Sequence, residues 1–215
     1  NMPLIVTEKH TSSMEPIPAG VHIGICYSVV DLGTHINATY GVEQRKVLVS
    51  WELPGCLGEF EQDGETVELP RVVSKRYTLS LSEKAILRKD LESWRGRRFT
   101  PSELAGFNLE VLTGLACQIQ IVHAEGKDGR TFGNVSCIMA LPKGASDPGK
   151  AQAPMTFFSL DDLGEEPELP DLPQWVKGII VESNEWKALT SPEPVLTPQD
   201  KNTETGEEED NDVPF

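Results

Sequence analysis

The sequence predicts a mainly β fold: a five-stranded barrel with one helix between strands three and four, followed by a disordered acidic tail. Three observations point there. Apolar and polar residues alternate with a period of two in several separate runs, the pattern of half-buried strands. Between the third and fourth runs, one stretch repeats its apolar residues at helical spacing instead. The negative charge, finally, is concentrated at one end. From Asp161 onward 16 acidic residues face three lysines, so this last quarter holds −13 of the formal net charge of −15.

Residues 1–20, with Pro3, Pro16 and Pro18 and no periodicity, read as a flexible N-terminal arm. Val21, Ile23, Ile25, Tyr27 and Val29 alternate with smaller or polar residues as a first strand, and Leu32-Gly33 through Gly41 reads as a loop. Arg45 to Leu53 is a second strand, with Val47, Val49, Trp51 and Leu53 on one face. Pro54 to Pro70 reads as an acidic, glycine-containing loop, and Arg71 to Leu81 as a third strand rich in β-branched residues. Ser80 and Glu83 have the spacing of a capping box, ahead of a helix whose stripe is Leu87, Leu91 and Trp94 and whose stop is Gly96. Thr100-Pro101-Ser102-Glu103 starts a second, short helix with proline at its favoured first position. Ala116–Ala124 and Thr131–Leu141 are strands four and five, joined at Asp128-Gly129, a strong hairpin signal. The order of three strands, helix and two strands is that of an OB-type Greek-key barrel. Met155–Leu160 is a further short strand, and a helix near Pro173–Lys187 carries apolar residues that suit docking on the barrel. Residues 21–188 are thus expected to form one domain with a C-terminal docking segment. Residues 189–215, with little to bury, are expected to be a disordered tail.

Several function classes find no support. Cys26, Cys56, Cys117 and Cys137 are far apart with no close pair of the kind zinc sites use, so no metal is expected. The four histidines are scattered, and neither a phosphate-cradling glycine loop nor a nucleophile elbow is present. No catalytic residues and no cofactor are expected. No apolar run is long enough to span a membrane, so the expectation is a protein free of membrane.

The chain ends Asp210-Asn211-Asp212-Val213-Pro214-Phe215. A terminal carboxylate sits beside an aromatic ring, Pro214 limits the backbone entropy lost on docking, and the acidic run before it adds steering. Such a tip fits a partner pocket that is apolar at its base and ringed by Arg or Lys, which makes Asp210, Asp212, Val213, Pro214 and Phe215 the partner-binding candidates. The tip resembles that of bacterial single-stranded DNA-binding proteins, whose acidic tails end in Asp-aliphatic-Pro-Phe and recruit replication and repair proteins; Val213 stands where Ile or Leu is usual. The body is similar to a group of phage-encoded proteins in Asp31-Leu32-Gly33-Thr34, Arg45 to Pro54, Leu87 to Arg97 and Phe99-Thr100. That resemblance implies an OB-fold single-stranded DNA-binding protein of phage replication or recombination, working in the cytoplasm of a bacterial host.

A second constellation is cationic and aromatic. Residues 71–98 carry Arg71, Lys75, Arg76, Lys84, Arg88, Lys89, Arg95, Arg97 and Arg98 against Glu83, Asp90 and Glu92. Single-strand binders need cations that follow phosphates and rings on which bases stack. In an OB barrel the face of strands two and three, flanked by the first and last hairpin loops, is the usual groove. The DNA-binding candidates are therefore Arg45, Lys46, Trp51, Lys75, Arg76, Tyr77, Arg95, Arg97, Arg98, Arg130 and Phe132. Trp51 shares its face with Val47 and Val49 and fits core as well as platform; Phe132 is equally open, and Trp94 continues a core stripe. Lys75, Tyr77 and Val73 have the same parity, a conflict that a bulge or an edge position would resolve. The expected partners are single-stranded DNA and, through the tip, replication or recombination proteins, with homo-oligomers possible for such a barrel. The alternative from another class is an interaction protein that imitates the host tail to sequester tail-binding enzymes, without binding DNA.

Overall fold

The computed structural model describes residues 15–62, 64–126, 129–164 and 167–190. Most of the expected arm and all of the tail from residue 191, including the five tip candidates, lie outside the described residues. The described chain is mainly β, a curled antiparallel sheet of five strands with few helices. The strands are β1 (Gly20–Ile36), β2 (Glu43–Gln62), β3 (Glu65–Thr78), β4 (Ala116–Glu125) and β5 (Thr131–Met139), in the order β3-β2-β1-β4-β5. A three-residue β6 (Thr156–Phe158) adds in parallel to β1 at Ser28–Val30, beyond the end of β4. The outermost strands, β3 and β5, approach each other without a hydrogen-bonded ladder; Lys75 Nζ donates across the gap to the Ser136 carbonyl at 3.3 Å.

The period-two runs explain the core. Cys26 and Val29 of β1, Val47, Val49, Trp51 and Leu53 of β2, and Val73 and Tyr77 of β3 point into the curl with Cys117, Ile119 and Ile121 of β4. The helix α1 (Ile86–Arg95) closes over them with Leu87, Leu91 and Trp94. Trp51 and Trp94 meet with ring centroids 5.9 Å apart, and the Trp94 indole donates to the Ala116 carbonyl at 3.0 Å. All four cysteines are free, and burial pushes the Cys26 thiol up to about 12.

Several expectations need correction. The loop expected from Leu32 to Gly41 is mostly strand, because a bulge between Asp31 and Gly33 lets β1 keep pairing with β2 as far as Ile36–Glu43. The acidic loop expected over Pro54–Pro70 is a hairpin: after a bulge between Leu53 and Leu57, β2 and β3 pair again from Leu57–Pro70 to Gln62–Glu65. The Ser80–Glu83 capping box does not form. Ser80 Oγ instead accepts from the Ser82 amide at 3.2 Å, a turn from Ser82 to Ala85 follows, and α1 starts at Ile86 without a side-chain cap. Gly96 does close α1, at φ 65°, and Thr100 and Glu103 do form the second capping box, opening α2 (Pro101–Ala105).

The single helix expected near Pro173–Lys187 is two, α3 (Gln174–Val181) and α4 (Asn184–Thr190). Ser183 ends one by donating its amide to the Ile180 carbonyl and caps the next by accepting from the Trp186 amide. Val176 and Ile180 of α3 pack with Leu172, Phe158 and Leu160 on Val30, Leu32 and Leu48, a second apolar cluster on the outer face of β1 and β2. Ser183 is fully buried against Gly33, which has φ +76°; a Cβ there would lie 2.4 Å from Ser183 Cβ. Gly33→Ala is expected to lower stability by about 2 kcal/mol or more in urea unfolding. Gly41→Ala, at φ +64° with open space around it, should lose only the backbone term of about 1 kcal/mol.

Candidate nucleic-acid interface

The structure divides the eleven DNA-binding candidates into structural residues and accessible ones. Trp51 is fully buried and Tyr77 nearly so; both rings belong to the core and offer no face to a base. The Tyr77 hydroxyl donates to Asp90 Oδ2 at 2.8 Å, and burial followed by that carboxylate holds the phenol well above its ordinary range. Lys75 also points inward, as its parity requires, and pairs with the same Asp90 oxygen at 2.7 Å. No bulge interrupts β3 there. The conflict is resolved by the edge: β3 has a ladder on one side only, and the ammonium escapes through the open side. Arg45 is held by Asp31 at 2.5 Å and Asp161 at 2.8 Å.

Arg95 lies over the rings of Phe99, at 4.5 Å, and Phe107, at 5.1 Å, and bonds Glu103. Arg97 shares Glu103 at 2.7 Å. The Arg97 guanidinium, the Thr100 amide and Arg95 together hold the Glu103 carboxyl well below the usual carboxylate range. These groups fasten α2 to the end of α1, and the acid that balances Arg95 and Arg97 is Glu103, supplied by the capping box itself. Arg98 remains exposed, with no ion pair among the described residues.

The accessible cations gather elsewhere. Lys46 faces Thr78 across the β2–β3 ladder, and Arg76 is the next outward residue of β3. With Lys84 from the turn before α1 they line a cleft of about 470 Å3 together with Gln44, Tyr77, Thr78, Ser80, Ser82, Ala85 and Ile86. Among the described residues no carboxylate lines it. Lys46 Nζ donates to Gln44 Oε1 at 2.6 Å and Thr78 Oγ1 at 2.8 Å. Burial first, and then the like charge of Arg76, lower its pKa. Gln44 also accepts from Asn37 at 3.2 Å, and Asn37 Oδ1 takes the amides of Thr39 and Tyr40. This chain ties the cleft to the β1–β2 turn, where the Tyr40 side chain is 76% exposed.

The expected groove on strands two and three is partly covered. On the outer face of β2, Leu48 lies under the second cluster, and Glu52 is buried, accepting the amides of Gln152 and Ala153 at 2.7–2.9 Å. The exposed remainder is the β3 margin, Val72, Ser74 and Arg76, leading into the cleft. β3 and β5 run parallel, each two antiparallel steps from β1, and the Lys75–Ser136 contact sets Arg71 about level with Phe132. Phe132 is 45% exposed, with the Arg130 guanidinium 5.8 Å from its centroid. Arg130 and Phe132 therefore lie near one end of the β3 margin and the cleft near the other. Five residues separate these levels, roughly 17 Å at strand rise.

Sequence reasoning placed Lys46, Arg76, Arg130 and Phe132 on this surface and missed Lys84, Gln44, Ser80, Ser82 and Tyr40. The sequence reads Ser80 as a helix cap and Tyr40 as part of a polar loop; the exposure of Tyr40 follows from the turn that Asn37 builds. Asp90→Ala strands Lys75 and Tyr77 together and is expected to lower stability by about 2–3 kcal/mol, read as a fall in the thermal midpoint. Arg98→Ala should leave the midpoint unchanged. No protein-family model matches the chain and no curated protein matches it, so what the chain does is read from its own residues.

Proposed function

We propose that the protein binds single-stranded DNA without sequence preference, along the β3 margin and into the Lys46–Arg76–Lys84 cleft of an OB-type barrel, and recruits partner proteins through the acidic tip ending at Phe215. The observation that carries this reading is the cleft itself. In a chain of net charge −15, three cations line a cleft with the hydroxyls of Thr78, Ser80 and Ser82 and, among the described residues, no carboxylate. Phosphates supply the missing charge, and their displaced counterions supply most of the affinity. The strand order supports the barrel type: β1 pairs with both β2 and β4, and parallel β3 and β5 face each other where an OB barrel closes. Exposed Tyr40 and Phe132, at the first and last hairpins, offer rings for stacking, each worth about 1–3 kcal/mol per base. The surface is graded for coating a strand rather than reading it, since it offers charge and rings but no array of groups facing base edges.

Fluorescence anisotropy of labelled oligo-dT at several salt concentrations tests this. Binding should weaken linearly in log–log form with salt, and the variant Lys46→Ala/Arg76→Ala/Lys84→Ala should reduce the slope by about 2, at ~0.7 per single-strand phosphate contact. Arg45→Ala, which breaks a structural pair, should leave the slope unchanged. No saturable binding to oligo-dT at low salt would refute the reading. Partner recruitment is checked on the full chain: removing Phe215 should abolish binding of a tail-recognising replication or repair protein while oligo-dT affinity stays within twofold.

A further inference from the structure

The hairpin beyond the Leu53–Leu57 bulge has a role of its own. Among the described residues, β2 and β3 pair only with each other from Leu57–Pro70 to Gln62–Glu65; the β1 ladder on β2 stops at Glu52. The ribbon therefore leaves the sheet with unpaired edges. It carries Glu59, Glu61, Glu65 and Glu68, all exposed, and no cation between Pro54 and Pro70. Glu59 and Glu68 are directly opposite each other in the ladder, an arrangement that opposes pairing unless a cationic surface offsets it. Leu57, also exposed, lies beside them opposite Pro70. The glutamates guard the edges against strand addition, so a partner meets this ribbon through charge rather than by adding a strand.

We propose that the acidic ribbon of one molecule docks in the Lys46–Arg76–Lys84 cleft of another, linking copies head to tail. The two surfaces are complementary in sign: a carboxylate-free cationic cleft and a cation-free ribbon of glutamates. They cannot meet within one chain. Both lie on the same β2–β3 ladder, Thr78 at one end and Glu68 ten residues away, roughly 33 Å along a paired ribbon. A contact between two different patches is heterologous and links copies into a closed ring or an open chain. Because the cleft is also where we place the phosphates, DNA and the neighbour's ribbon compete for it, and the free protein is stored in a form that a DNA strand takes apart. The self-association needs only the cleft's charge and stands or falls separately from DNA binding.

Sedimentation velocity of the full chain without DNA tests the proposal. At low salt the average mass should rise above one chain with protein concentration, and it should return to one chain at high salt. The reversal Glu59→Lys/Glu68→Lys and the reversal Lys46→Glu/Arg76→Glu should each raise the concentration of half-association at least tenfold. A 1:1 mixture of the two variants should associate again, since each then offers what the other lacks. Circular dichroism confirms that both variants fold. A monomer at every salt concentration, association that survives both reversals, or a mixture that stays monomeric overturns it. Oligo-dT anisotropy, run on the same samples, reports separately on the DNA site.

Discussion

One carboxylate sorts the basic segment. Asp90, on the inward stripe of α1, takes the Lys75 ammonium and the Tyr77 hydroxyl on a single oxygen. That contact docks α1 on β3 and leaves a cation at the open seam of the curled sheet, where Lys75 also reaches the β5 backbone. Arg76, one residue on, must then point outward and meet Lys46 and Lys84. A segment with nine cations thus divides into those that hold the fold and those that face solvent. Arg95 and Arg97 fall in the first group through Glu103; outside the segment, Arg45 is held in the same way by Asp31 and Asp161. A net charge for the segment could not reveal that division.

Much of the fold was legible in the residues. Val47, Val49, Trp51 and Leu53 alternate cleanly and do form one inner face; the stripe Leu87, Leu91, Trp94 and its glycine stop were read correctly. What misled was punctuation. Leu32-Gly33 and Pro54-Gly55 look like strand ends, yet both sit at bulges, where the sheet absorbs extra residues and continues. The Ser80–Glu83 spacing fits a cap, but Ser80 bonds locally, as serine readily does. Docking is expected of the helix near Pro173–Lys187, but nothing in its residues marks the outer face of β2 as its seat. Its covering of that face shapes the site: of the cations on β2 and β3, it leaves Lys46 and Arg76 accessible at the β3 margin and the cleft.

The charge distribution acquires a physical sense in this arrangement. The cleft is the described surface where cations gather without acids, while the ribbon at the far end of the same ladder is uniformly acidic. Among the described residues no helix is long and apolar enough to cross a membrane. An acidic chain that binds a polyanion must separate its charges in space, and the β2–β3 ladder does so by carrying one sign at each end. Salt then tunes both proposed contacts in the same direction, which makes the ratio between them, rather than either alone, the quantity under control.

The central claim is that nucleic acid follows the β3 margin from Phe132 to the cleft. Photo-cross-linking of the full chain to an oligothymidylate carrying 4-thiothymidine, with the modified peptides located by mass spectrometry, tests it most directly. The account predicts adducts at Tyr40, Phe132 and the segment from Arg71 to Ile86, lost on competition with unmodified strand. Adducts confined to residues 150–190, or spread evenly over the surface, would contradict it.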